Sequence, residues 1–422
     1  MQNTDIRCFD LTQRTVFGLL AQTLFGAAYT PEPNVDWLSV YRESECQAVR
    51  LQTFANYNRI PDIPQDLRAQ LKQYVMGAML KDARIHAQHT ALHKLFTEHD
   101  IPYSILKGAS SAYYYANPLT RAMGDVDFYV DKADLDRAIA VLRADGFEVE
   151  DYHAEKTQQY HLGVRKGIIH MEMHYMFPGV PEGKPGEIII SYLSDIRETT
   201  FLLQNELVTC RLPSPFNHGL IMLMHLHHHL LCEGIGLRHL CDWAVFVNRF
   251  SEEEFQALFR EKLAEIGLWH FARLLSLASS LYVGLPEQSW MREDKRDDAT
   301  AFELMNDIMR GGNFGVKDRQ RVFEGKFISN RGKNGVRRNR LSEAVTSVNN
   351  SSRERWPIMG KLPFLLPIGW VLGIFRYLFH NSQRRKTGKQ IHIVDAYKNS
   401  ESRKNLYRKL RLYEPDKKTK KH

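Results

Sequence analysis

The chain is predicted to adopt an α+β fold: a small sheet with interspersed helices, set between two helical regions. Three observations lead there. Residues 10–100 and 215–310 repeat apolar side chains every three or four positions, the period of helices packed on one face. Residues 101–176 break instead into short apolar or alternating runs bounded by Gly and Pro, the texture of strands and tight turns. Helix-like runs fall between those strand-like ones, so sheet and helix share one domain.

In order along the chain, Val16, Leu19, Leu20 and Leu24 recur at helical spacing, and residues 64–99 hold one internal Gly and no Pro after the first position. Residues 1–100 are therefore expected as a helical N-terminal region. Tyr103–Leu106 is short, apolar and ended by Gly108, hence a strand. ASSAYYYAN reads as a helix stopped by Pro118. Residues 125–130, DVDFYV, alternate acid and apolar as a half-buried strand does. Leu135, Ile139 and Leu142 share one face of a helix over 132–145, and Gly146 caps it. Residues 147–151 read as a strand, and 158–176 as a hairpin turning at Lys166-Gly167. The expected boundaries are 101–212 for the sheet domain, 213–310 for a second helical domain, 311–356 for a loop-rich connection, and 357–422 for an apolar segment with a basic tail.

The 422 residues are 43% hydrophobic and 25% charged, which excludes a collagen, a disordered chain and a disulfide miniprotein. Five scattered cysteines with no CxxC pair argue against a disulfide framework. The N-terminus carries acids and no long apolar core, so no secretory leader is expected and a cytoplasmic location is. Charge is uneven. Residues 381–422 hold 14 Lys and Arg against four acids; since the whole chain is +8, the preceding 380 residues carry a net −2. A near-neutral body counts against a nucleic-acid groove, and no specific nucleic acid is expected as partner.

The chemistry centres on Asp125-Val-Asp127. Residues i and i+2 of a strand point to one face, and two carboxylates side by side repel unless a cation joins them. Mg²⁺ is commonly held by one or two carboxylates with substrate phosphates completing its shell. Glu172 lies on another alternating run, IIHMEMHY, as a third carboxylate able to hold a second metal ion or accept a proton. Upstream, LKGASS joins a strand to a helix, where backbone N–H groups suit phosphate. Gly108 permits close approach, Ser110 and Ser111 add hydroxyls, and Lys107 and Arg121 add positive charge. Taken singly, an acid pair is more often a strand edge paired with Lys or Arg. In this order, strand, glycine turn, helix and acidic strands describe phosphoryl or nucleotidyl transfer.

ILKGASSAYYYANPLTRAMGDVDFYV, with Glu172-Met173-His174 later, resembles the active-site segment of the DNA polymerase β-like nucleotidyltransferase superfamily. More narrowly it is similar to a group of uncharacterised nucleotidyltransferases often encoded in bacterial polysaccharide gene clusters. GIGLRHLCDWAVF, residues 234–246, resembles that group's helical region. The resemblance implies a polymerase β-like sheet domain. Asp125, Asp127 and Glu172 would be the catalytic and metal-binding acids for Mg²⁺, or Mn²⁺ in its place. Lys107, Gly108, Ala109, Ser110, Ser111, Arg121 and His174 would bind the nucleoside triphosphate. Ala109 departs from the usual Gly or Ser. An unidentified hydroxyl acceptor would take the nucleotidyl group. Two alternatives stay open: a non-catalytic nucleotide-binding protein on the same fold, and a protein-modifying, toxin-neutralising nucleotidyltransferase.

Three other signals are weighed. His225, His227, His228 and His229 sit in one helical run, and His225 and His229 share a face; packing beside the cleft is the expectation, a zinc site the rarer outcome. Arg238 and Asp242, four apart, are expected to pair on their helix. Residues 362–379, LPFLLPIGWVLGIFRYLF, are too interrupted for a membrane span. They are expected either at an anionic lipid surface, with the basic tail, or buried against the N-terminal helices.

Overall fold

The structure is a computed structural model that describes residues 6–60, 62–152, 160–318, 321, 349, 352–353, 355–356, 358–373, 375 and 403–414. Three helices open the chain: α1 (Leu11–Phe25), α2 (Trp37–Cys46) and α3 (Arg50–Thr53). Asp10 caps α1 by accepting from the Gln13 amide at 2.8 Å. The long α4 (Gln65–Glu98) follows and runs unbroken through its one glycine, Gly77. It ends at Glu98, and Asp100, with φ +51°, turns the chain away before Pro102.

A five-stranded sheet comes next: β1 (Ser104–Ile105), β2 (Val126–Tyr129), β3 (Glu148–Val149), β4 (His161–Lys166) and β5 (Ile169–His174), in the order β1-β2-β5-β4-β3. Between strands run α5 (Ala109–Ala112) and α6 (Leu135–Ala144). The expected helix over 109–117 is thus one turn only. The hairpin joins β4 to β5 where expected, with Gly167 at φ +59°. β2 and β5 are parallel, with Asp127 opposite Glu172. A helix α7 (Lys184–Leu193) leads to a hairpin, β6 (Phe201–Gln204) and β7 (Thr209–Leu212), that the sequence pattern had not suggested.

Helices α8 (Pro215–Cys232), α9 (Leu237–Val247), α10 (Glu252–Glu265), α11 (Trp269–Val283) and α12 (Arg296–Gly311) follow. Two apolar cores result. One lies under the sheet, where Ile85, Leu92 and Phe96 of α4 meet Phe128, Val126 and Leu162. Phe96 and Phe128 stack edge to face at 5.7 Å; burying rings of this size contributes roughly 1.5–3 kcal/mol each. The other core joins α1 and α2 to α8–α12, so the two ends of the chain build one helical layer. The early part of α4 contributes Leu67 and Leu71 to that layer, so α4 links both cores.

Two readings of the C-terminal region need correction. The segment RKNLYRKLRLY is not a free basic tail. Leu406, Tyr407, Leu410 and Leu412 are buried in the helical core, Arg403 and Tyr407 both donate to the Leu230 carbonyl, and Lys409 pairs with Glu303. Nor is the 362–379 segment buried against the N-terminal helices over its described part. Phe364, Ile368, Val371, Leu372 and Phe375 are 45–73% exposed and recur at helical spacing on one outward stripe. The expected loop-rich connection at 311–356 lies mostly outside the described residues, as do the remaining basic positions 376–402 and 415–422.

Candidate active site at the sheet–helix cleft

β1 ends at Ile105, and the Leu106 amide still donates to the Asp127 carbonyl at 2.9 Å. The chain then turns at Gly108, with φ +64° and ψ −108°. Only glycine takes this conformation without strain; space is not the reason, since a Cβ there would meet the Asp125 carbonyl at an ordinary 3.5 Å. Gly108 and Ser111 line a cleft of about 320 Å³ with Lys107, Asp125, Asp127 and Glu172, and α8 and α9 form the opposite wall.

The parallel register of β2 and β5 sets Asp127 beside Glu172, and Asp125 shares their face two residues back. Charge within the group is unevenly matched. Asp127 Oδ1 accepts from Lys107 Nζ and from His174 Nε2, each at 3.0 Å. Burial pushes the Asp127 carboxyl up, but Lys107 and then His174 outweigh it and hold it well below the ordinary range. His174 Nε2 also lies 3.5 Å from Glu172 Oε2. That bond, working against burial, lowers the Glu172 carboxyl. Burial works to lower His174, yet its bonds to Asp127 and Glu172 raise it overall. Asp125 goes the other way: burial, then the charges of Asp127 and Glu172, raise it, and no ion pair offsets them among the described residues.

The three acids are not a ready-made set of touching donors. Among the described residues, the group whose three ligand atoms lie within 4.8 Å of one another is His161, Glu172 and His174. His161 comes from β4, where Arg165 and His170 pair further along the same ladder. His170, two residues before Glu172 on β5, is exposed.

The remaining predicted residues divide sharply. Ala109 packs into the sheet core. The Ser110 hydroxyl is buried and donates to the Ile105 carbonyl, closing the turn. Arg121 lines the cleft, but its guanidinium is committed elsewhere: Nε and one terminal nitrogen donate to the two Asp242 oxygens at 2.9 and 2.8 Å. Tyr115 adds a third bond to Asp242 at 2.7 Å. Burial raises the Asp242 carboxyl, but Arg121 overrides it and brings it to about 2. The expected Arg238–Asp242 pair does not form; the bidentate partner from the sheet domain takes both oxygens. Asp82 of α4 holds the same loop by accepting from the Met123 amide at 3.1 Å. The loop before β2 is therefore tied to α4 and to α9 at once.

On the far wall, His225 Nε2 and His229 Nε2 are 2.8 Å apart and share a proton. His225 is lowered well below its ordinary value by burial and then by Lys107. His218, lowered by burial to about 3, stacks on Tyr114 with centroids 5.1 Å apart. Of the run, His225 and His229, which share a face, contribute cleft wall. His161, His218 and Asp82 were not among the residues singled out; each lies on an unremarkable stretch whose place depends on distant packing.

A family model described as uncharacterised nucleotidyltransferase matches residues 33–283, more than half of the chain. The chain belongs to this nucleotidyltransferase family. The match takes in the whole sheet, the glycine turn, and α8 to α11. The nucleotidyltransferase is accordingly a transferase that draws on a nucleoside triphosphate, and its α+β sheet domain is of the polymerase β-like kind. No curated protein matches the chain. Among its described residues no helix is long and apolar enough to cross a membrane.

Proposed function

We propose that this nucleotidyltransferase moves a nucleotidyl group from a nucleoside triphosphate to a hydroxyl acceptor, with a divalent metal ion. The observation that carries the reading is the β2–β5 register, which sets Glu172 beside Asp127 and on the face of Asp125, at the mouth of the Gly108 turn. The acid face fits a hard cation. Its donors are carboxylates, and Asp125 is left crowded by negative charge without a partner of its own among the described residues. Asp125 and Asp127 would hold Mg²⁺ or Mn²⁺, with Glu172 completing the set. The ion would offset charge developing on the phosphate oxygens. The His161–Glu172–His174 group, with two imidazoles, suits softer transition metals; His174 already serves both carboxylates.

In this reaction the acceptor oxygen bonds to the α-phosphorus as its proton passes to Glu172, whose side chain is 25% exposed and reachable where Asp127 is buried. The bond from the α-phosphorus to the bridging oxygen breaks, and its electron pair leaves on pyrophosphate. Lys107 and Ser111 line the phosphate side. Ala109, Ser110 and Arg121 position the turn and loop from behind. The acceptor in this reading belongs to surface polysaccharide synthesis, the setting of the sequences this chain resembles.

The test is pyrophosphate release from Mg²⁺ and each nucleoside triphosphate with candidate saccharide acceptors, comparing the native protein with Asp125→Asn. That substitution relieves repulsion, so the protein should melt no lower while release falls at least a thousandfold. Release within tenfold of native would sink the reading. Triphosphate binding without release from any acceptor would favour the non-catalytic alternative.

The exposed stripe from Phe364 to Phe375 adds a location to the proposal. Five apolar side chains face outward, followed in sequence by Arg376, Arg384, Arg385, Lys386 and Lys389. An apolar face next to clustered basic residues suits an anionic lipid surface. We place the enzyme peripherally on the inner face of the membrane, in contact through residues 362–380.

A further inference from the structure

Arg238 is a cation in the cleft with which no acid among the described residues forms an ion pair. It sits in the first turn of α9, half-buried, and lines the same cleft as Asp125 and Glu172. Its side chain makes no hydrogen bond or ion pair with any described residue, although Asp242 is one turn further along the same helix. Asp242 is saturated by Arg121 and Tyr115. Burial and then the charge of Arg121 disfavour the guanidinium there, and the charges of Asp242, Tyr115 and Asp125 offset them only in part; a desolvated charge with no hydrogen-bonded partner is costly unless something binds it.

The backbone beneath Arg238 is fixed. Gln47 accepts from the Leu237 amide with its side chain at 3.1 Å and from the Arg238 amide with its carbonyl at 3.3 Å. The Gly236 amide is taken by His239 Nδ1 at 3.3 Å. These bonds use the free amides at the start of α9, so an anion there would meet the guanidinium rather than the helix backbone. Among the described residues Arg238 thus has a fixed backbone and no side-chain hydrogen bond, in a cleft that also holds Asp125, Asp127 and Glu172. A ligand that satisfies both walls presents a cation to the acids and an anion to Arg238. A metal-chelated polyphosphate does both, and a guanidinium matches phosphate oxygens two at a time.

We infer that Arg238 binds the phosphate chain of the nucleotide, the part that departs as pyrophosphate. The inference rests on the nucleotidyl-transfer reading for the nucleotide and on the cleft's own charges for the anion. The experiment is calorimetric titration of the full chain with inorganic tripolyphosphate and with the Mg complex of each of ATP, GTP, CTP and UTP, for the native protein, Arg238→Gln and Arg238→Lys, the nucleotide that native protein binds best serving as the second ligand. Arg238→Lys keeps the charge and guards against a failure to fold. Affinity for both ligands should fall at least thirtyfold in Arg238→Gln and less in Arg238→Lys, with pyrophosphate inhibition weakened in step. A purely structural Arg238 would leave pyrophosphate inhibition unchanged. Native protein that binds both ligands, with Arg238→Gln within twofold of it, overturns the role of Arg238 and spares the nucleotidyl reading. Binding of tripolyphosphate but of no nucleoside triphosphate keeps Arg238 as an anion seat and overturns the nucleotidyl reading. Binding of neither overturns both.

Discussion

Replacing Asp242 with Asn tests whether Arg121 is a strut or a phosphate ligand. Asp242 accepts three bonds: two from Arg121, at 2.9 and 2.8 Å, and one from Tyr115 at 2.7 Å. Both partners of the ion pair are under 10% exposed. Asn retains one acceptor oxygen and turns an amide toward a guanidinium that has only donors. One charge-assisted bond is lost outright, worth about 1.5–3 kcal/mol, and Arg121 is left charged and buried. The expected destabilisation is about 3–5 kcal/mol, the range for breaking a buried pair from one side. Urea unfolding followed by tryptophan fluorescence measures it. The double variant Arg121→Met with Asp242→Leu removes both charges and should recover most of the loss, since apolar replacement of a buried pair is often neutral. A loss under about 1 kcal/mol for Asp242→Asn, or a double variant no more stable than the single, refutes the strut.

Two further outcomes are expected. His89 and His218 are lowered by burial to about 4 and about 3. Below about 6.5 the unfolded chain takes up protons that the folded chain cannot, so stability is full above that pH and declines toward 4, by about 1.4 kcal/mol per pH unit for each histidine. His218→Phe, which keeps the stack on Tyr114, should make the decline shallower; a urea midpoint that stays level from pH 6.5 to 4.5 would contradict this. Phosphatidylglycerol vesicles should float the native protein but not the Phe364→Ser, Phe375→Ser double variant, and phosphatidylcholine vesicles should float neither. Equal flotation of native and variant would remove the apolar stripe from the lipid proposal.

Local signals were legible in the sequence; pairings across the chain were not. Alternation in DVDFYV and IIHMEMHY reports a half-buried strand because side-chain direction is a local property. The glycine at 108 announced a turn for the same reason. The partner of each strand is a different matter, and nothing in either run specifies that Asp127 faces Glu172 in a parallel ladder. The same limit explains Arg121 and Asp242, which are 121 residues apart. The i, i+4 spacing of Arg238 and Asp242 pointed to a pair that a bidentate competitor from the sheet domain displaces. In RKNLYRKLRLY the charges masked a helical row, Leu406, Tyr407 and Leu410, that turned out to be core. The β6–β7 hairpin was missed because FLLQNELVTCRL mixes apolar and polar residues without a glycine to mark its turn.

The way the helical layer is assembled has a consequence in time. α1 packs on the neighbouring α2 and α3, and part of its buried face also meets α11, where Phe17 lies 5.8 Å from Tyr282. α11 begins roughly 240 residues after α1 ends, and a ribosome adding about 5–20 residues per second needs roughly 10 to 50 seconds to cover that distance. Through that interval the part of α1 that α2 and α3 leave for α11 has no native partner, so a nascent chain of this nucleotidyltransferase offers that strip to chaperones and to misassembly with its neighbours on the same message.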